Sequence, residues 1–277
     1  MAEPRGWQVN PAVTDKPRIP IAQAHRLAEA LFTLWKLPSS AVVAGSIRRG
    51  RPRVADVELV VPPAEGQRDA LYERISDMMD SDIPESDLWP RATNAVGHAV
   101  KGLTKGFQYA QVVVRPSAIG VECDLPTVPV DLFRWREERG IEGAAPKSNR
   151  GWVVIVRTGP DDFGEQFLAT WKRKCKCPKE REISRQNWLL SATGNTLHTP
   201  TEESVWAQTG ILSVSPQERE QHRGDCVLLI DDVVDGERRK HPYVRQAAAC
   251  LGFRNVGEAR ARREADLEAW KLQGGKL

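Results

Sequence analysis

No apolar stretch in this 277-residue chain approaches the roughly 20 residues that a helix needs to cross a bilayer. The opening MAEPRGWQVN carries no secretory apolar segment, so neither a membrane role nor export is expected. Cysteine is scarce, with five residues and none of the spacing of a disulfide framework. A reducing cytoplasm is the expected compartment. Charge of neither sign dominates, since 40 Lys and Arg against 37 Asp and Glu leave only +3. Whole-chain electrostatics therefore does not mark a nucleic-acid binder, and local clusters must carry any such case. Internal repeats and long low-complexity tracts are missing too. What is present, 40% hydrophobic and 28% charged residues, is the composition of a folded protein with one large domain or two small ones.

Several chemistries also lack their residues. The histidines (His25, His98, His198, His222 and His241) are scattered, and no Ser-His-Asp or Cys-His pairing stands out. GHAVKGLTKGF lacks the Gly-Lys-Ser/Thr ending of a phosphate-binding loop, which removes an ATPase of that type. Cys175 and Cys177 have no second pair at zinc-finger spacing. DDVVD, without a glycine-centred calcium loop, reads as a turn.

The order of elements points to an α/β (α+β) fold. PIAQAHRLAEALFTLWKL predicts a helix with Pro20 in its first turn and Ala24, Leu27, Ala28, Leu31 and Leu34 on one stripe. AVVAG and DVELVVP predict two buried strands, and AQVVVRP, VPVDLF and WVVIVRTG three more, with QRDALYERISDMMD a helix between. From Gly159 the pattern turns helical. GPDDFGEQFLATWKRK sets Phe163, Phe167 and Trp171 four apart, between an acidic start and a basic end that suit the helix dipole. Thr199-Pro-Thr-Glu202 and Ser215-Pro-Gln-Glu218 read as capping boxes, with Gly210 and Gly224 as stops. The remainder holds one apolar run, CVLLIDDVV, and a charged helix, EARARREADLEAWKL. The expected organisation is an extension over 1–19, an α/β domain over 20–158, a small mainly helical domain over 159–222 and a second extension over 223–277.

One stretch, VVAGSIRRGRPRVADVELVV, carries the chemistry. Side chains two apart on a strand face the same way, so Asp56 and Glu58 repel unless solvent, basic groups or a cation neutralises them. Hard oxygen ligands on a strand suit Mg²⁺, and a third acid from a neighbouring strand completes a two-metal site for phosphoryl chemistry. Asp131, a lone acid in VPVDLF, is the candidate. An acidic pair on an edge strand, with Asp131 held by an arginine, accounts for the same residues. Gly45-Ser46 lets backbone amides and a hydroxyl approach phosphate oxygens. Arg48, Arg49, Arg51 and Arg53 supply charge for a triphosphate or a nucleic-acid backbone, or form a merely charged loop. The basic run of Lys172, Arg173, Lys174, Lys176, Lys179 and Arg181 is either a solvated helix end or a duplex contact.

A strand, Gly-Ser, arginines and an Asp-x-Glu ten residues after the serine resemble the signature of the nucleotidyltransferase superfamily. GSIRRG is specifically similar to the DNA polymerase X family. PVDLF resembles that family's third metal-ligand strand, and RTGPDDF its Thr-Gly turn before a helix. GNTLHTPTEESVWAQTGILSVSPQERE resembles its terminal thumb region, so the likeness covers about residues 20 to 220. The resemblance implies a palm domain with a mixed sheet flanked by helices, then a thumb-like domain. It implies that Asp56, Glu58 and Asp131 bind two Mg²⁺ ions, with Mn²⁺ as an alternative. Gly45, Ser46 and Arg49 would contact the triphosphate, Thr158 and Gly159 the sugar and base, and Asp161 would lie near the base. Two departures stand out. Position 58 is Glu where the family ordinarily has Asp. Val156-Arg157 replaces an aromatic pair, which leaves Arg157 to stack on a base or bind phosphate.

The activity implied is transfer of a nucleotide from a nucleoside triphosphate to a nucleic-acid 3′-hydroxyl, on a DNA primer or primer-template, by a monomer. Transfer to a tRNA, protein or small molecule without a template is the alternative within catalysis. A non-catalytic nucleic-acid-binding relic, with Glu58 as its first lesion, is the alternative outside it.

Overall fold

The computed structural model describes residues 16–64, 69–80, 96–138, 146–176, 182–227 and 251–272. In chain order, β1 (Ile19–Pro20) leads into α1 (Ile21–Leu34), β2 (Val42–Val43), the four-residue α2 (Gly45–Arg48), β3 (Arg53–Val54) and β4 (Val57–Val61). Then come α3 (Ala70–Ser76), β5 (Met79–Asp80), β6 (Gly97–Lys101), β7 (Tyr109–Val114) and β8 (Val128–Arg134). The short β9 (Glu137–Glu138) and β10 (Lys147–Ser148) precede α4 (Arg150–Thr158) and α5 (Asp161–Lys174). The short β11 (Ser184–Arg185) and β12 (Trp188–Leu189), α6 (Glu202–Thr209), α7 (Pro216–His222) and α8 (Val256–Leu272) follow.

The molecule is mixed α/β. Six strands form one sheet in the order β2-β4-β8-β7-β6-β5, with β4–β8 and β5–β6 parallel and the other pairs antiparallel. One face of this sheet presents Leu59, Val112, Val130 and Leu132, which pack with Leu27 and Leu31 of α1 and Ile75 of α3. On the opposite face, Val60 and Phe133 are covered by Val153 and Val154 of α4. A second apolar core gathers Trp152, Phe163, Phe167, Trp206 and Ala259 from the later helices, with Leu212 from the connection between α6 and α7. Among the described residues, no helix is long and apolar enough to cross a membrane.

WVVIVRTG, expected as a strand, is the helix α4. Its run from Gly151 to Ile155 is buried throughout, because Val153 and Val154 face the sheet while Trp152 and Ile155 face the second core. A run buried on every side loses the polar stripe that distinguishes a helix. Gly151 lets α4 approach α6 closely, since a Cβ there would overlap the Thr201 carbonyl.

Other boundaries follow local chemistry. The cap of α6 is Thr201, not Thr199, and it exchanges bonds with Ser204 in a capping box. The Ser215–Glu218 box caps α7 as expected, and Gly210 ends α6 in the left-handed conformation. The residue after α7 is Arg223, at φ 54°, so the helix stops one position before Gly224. α5 and α8 match the two predicted charged helices. CVLLIDDVV falls mostly outside the described residues, as do Cys177, Lys179, Arg181 and His241.

A buried ion pair anchors the far end of β8. Arg134 Nη2 donates to Asp69 Oδ1 at 2.6 Å, with the two side chains 1% and 2% exposed. The same carboxylate caps α3 through the Tyr72 amide and accepts from the Gly106 amide. Burial works against its ionisation, but these bonds and the Arg134 charge hold the carboxyl below the usual range. Its stabilising contribution is therefore present above the ordinary carboxylate pKa and is lost as pH falls through the lower folded value. Removing one partner of such a pair costs about 3–5 kcal/mol. Asp69→Asn should lower unfolding free energy by that order at pH 7 in a urea titration. The gap between variant and parent should narrow toward pH 3.

Candidate active site

Strand register brings the acids together. Glu58 of β4 lies opposite Asp131 of β8, which lies opposite Gln111 of β7. Asp56, two residues before Glu58, continues the same side of the chain. α4 covers the Val60–Phe133 part of this face, and a cleft of about 670 Å³ opens beside the remainder. Asp56 and Asp131 line the cleft with Gln111, His98 and Lys16.

Each acid is held differently. Asp131 Oδ1 accepts from Tyr109 Oη at 2.9 Å and from Gln111 Nε2 at 3.0 Å. Both bonds fall on one oxygen, which leaves Oδ2 for ligation. Tyr109 stacks on Phe133 with ring centroids 5.0 Å apart, and the Arg157 guanidinium lies 4.0 Å from the Phe133 centroid. Glu58 turns toward the Gly45 backbone. At φ 62°, Gly45 is left-handed, and a Cβ on it would overlap the Glu58 carboxylate. The left-handed φ is the firmer reason for glycine at position 45, since the Glu58 carboxylate is the movable end of a side chain.

Crowded carboxylates hold protons. Burial, then the charges of Asp56 and Asp131, push Glu58 up to about 8, against the opposing pull of Arg49 and Arg157. Burial and Asp131 likewise raise Asp56. The Tyr109 hydroxyl is pushed up to about 12, by burial first and then by its bond to Asp131, so it remains a donor.

Three carboxylates and a glycine cradle form a donor set of the hard-oxygen kind that Mg²⁺ takes. Among the described residues, no three His, Cys, Asp or Glu side chains converge as they stand on a single metal position. The Glu58 carboxylate lies under Gly45 and does not line the cleft with Asp56 and Asp131.

No protein-family model matches the chain, and no curated protein matches it. The chemistry of the site rests on its own residues.

The arginine loop has partners that its sequence does not reveal. Arg48 pairs with Glu202 of α6 and donates to the Thr158 hydroxyl at 3.0 Å. Arg49, only 8% exposed, pairs with Glu220 of α7 at 2.7 Å and donates to the Thr158 carbonyl and to Ser46 Oγ. Arg51 meets the other oxygen of Glu220 at 2.6 Å, and Arg53 donates to the Arg18 carbonyl. Arg49 is thus engaged within the chain rather than open to a triphosphate, and Thr158 is fully buried as the last residue of α4. Gly159 follows as its C-cap, and Asp161 is exposed at the start of α5.

In the basic run, Lys174 donates to the Thr209 carbonyl at the end of α6, at 2.6 Å. Lys172, Arg173 and Lys176 lie at or just beyond the end of α5. Tyr109 and Gln111 escaped sequence reading. Their signal is the alternation in YAQVVV, where both point away from the buried face of β7.

Because Glu58 is raised in the folded chain, it holds a proton there that the unfolded chain has lost above its ordinary value of 4.5. Stability falls as pH rises from that value to about 8. Glu58→Gln should remove this slope and leave the metal-free protein more stable than the parent at pH 9. Urea midpoints measured in EDTA from pH 5 to 9 check it. Parallel curves would show that Glu58 ionises normally.

Proposed function

We propose that the chain is a nucleotidyltransferase of the DNA polymerase X type, joining an acceptor 3′-hydroxyl to the α-phosphorus of a nucleoside triphosphate and releasing pyrophosphate. The observation that carries this reading is the Glu58–Asp131 register beside the Gly45-Ser46 turn. It pairs two acids from parallel neighbours, one of them lying against a backbone bend whose left-handed conformation favours glycine. Asp56, Glu58 and Asp131 would hold two Mg²⁺ or Mn²⁺ ions, Glu58 after turning from Gly45. A divalent ion bound there neutralises phosphate charge and lowers the pKa of the attacking hydroxyl. Tyr109 and Gln111 orient Asp131. Ser46 and the arginine turn would meet the phosphates once Arg49 and Arg51 exchange Glu220 for them, and Arg157 on Phe133 carries positive charge toward the acids.

A second reading, transfer to a non-polynucleotide acceptor, draws on one observation. Arg48, Arg49, Arg51 and Lys174 bond within the chain, which reduces the cationic surface left for a nucleic-acid backbone.

Primer extension on templated and untemplated DNA, each with dNTP and NTP, separates the two. Mg²⁺-dependent extension is expected, and Asp131→Asn should lower it by about 10²–10³-fold, the usual loss on removing a group that stabilises developing charge. Tyr109→Phe, which keeps the ring and removes one bond to Asp131, should lose about tenfold or less. Extension that survives in Asp131→Asn ends the proposal. No extension of any primer by the parent protein favours the second reading.

A further inference from the structure

We propose that Glu220 is an internal competitor for the phosphate-binding arginines, an autoinhibitory carboxylate that a polyphosphate must displace. The inference rests on reading the Gly45–Arg53 turn as a phosphate site. Both oxygens of Glu220 are engaged, Oε2 by Arg49 Nε at 2.7 Å and Oε1 by Arg51 Nε at 2.6 Å. Carboxylate and phosphate oxygens take the same guanidinium donors, so the two ligands exclude each other at this pair.

Arg49 keeps other partners when the carboxylate leaves. Arg49 is held from its other side by the Thr158 carbonyl at 2.5 Å and by Ser46 Oγ at 3.2 Å. A cation so buried requires an anionic partner, and Glu220 is that partner. Glu220 itself is 28% exposed, which leaves it an outward path. The neighbouring residues keep α7 in place without it, because Glu218 bonds Arg262 of α8 and Arg219 bonds Glu202 of α6. One corner of the helix is released and the rest stays docked.

Titration calorimetry with inorganic tripolyphosphate, in EDTA and at fixed salt, tests the competition. Glu220→Gln keeps the shape and removes the charge, and should bind tripolyphosphate about tenfold more tightly than the parent, about 1.4 kcal/mol. Glu220→Asp, with its shortened reach, should fall between them and keeps the test open should the Gln variant misfold. Equal or weaker binding by both variants overturns the inference. Arg51→Gln, at a half-exposed position, tells its failure from that of the underlying reading. If that change weakens binding and the Glu220 variants do not strengthen it, only the competition is wrong. If it leaves binding unchanged, tripolyphosphate sits elsewhere and the phosphate site falls with the competition.

Discussion

Two carboxylates, Glu202 and Glu220, fix how the helical core sits against the sheet. Glu202 lies between Arg48 of α2 and the buried Arg219 of α7, and Glu220 between Arg49 and Arg51. Arg219 also stacks near Phe163 and Trp206, so the charge network enters the aromatic core that α5 and α6 build. Exposed ion pairs stabilise little, but these are largely removed from water and share partners, so removing one member strands another. Three consecutive residues of α7 reach three elements: Glu218 to α8, Arg219 to α6 and Glu220 to the arginine turn.

The same turn borders the face that carries the three acids. Gly45 lies over Glu58, Ser46 touches Arg49, and Arg48 and Arg49 both bond Thr158 at the end of α4. Arg157, one residue before that threonine, stacks on Phe133, whose neighbour Tyr109 holds Asp131. Any ligand that draws on Ser46 or Arg49 therefore acts on elements that also position the acids. The coupling needs no long path, because the turn, the end of α4 and the two central strands meet at one place.

Much of the sheet was legible because its strands obey a simple rule. β4 and β8 are nearly continuous apolar runs broken by single acids, and a parallel pair buried on both faces reads that way. α4 obscured itself for the related reason that both of its sides are covered. The acids were legible as a set because two lie at strand spacing and the third is alone among apolar residues. The role of the arginines was not legible. Arg48 and Glu202 are 154 residues apart in the chain, and no local pattern ties a loop arginine to a glutamate at the start of a distant helix. Thr201 was missed for a smaller reason: with Glu at the third helical position, Thr199 mimics a capping box, but its own side chain is buried beside α4.

Charge balance explains why the acids rest as they do. Three carboxylates on one face cannot all ionise in a half-buried site without a compensating cation. The chain's own groups divide the compensation. Glu58 holds a proton under Gly45, and Arg157 brings a guanidinium to the same face from its seat on Phe133. Metal binding requires the ionised form, so a divalent ion entering here would release the Glu58 proton and free its carboxylate to turn. On the proposed metal reading, the extra methylene of Glu over Asp would supply the reach for the carboxylate to turn from Gly45, where it lies, toward the cleft that Asp56 and Asp131 line.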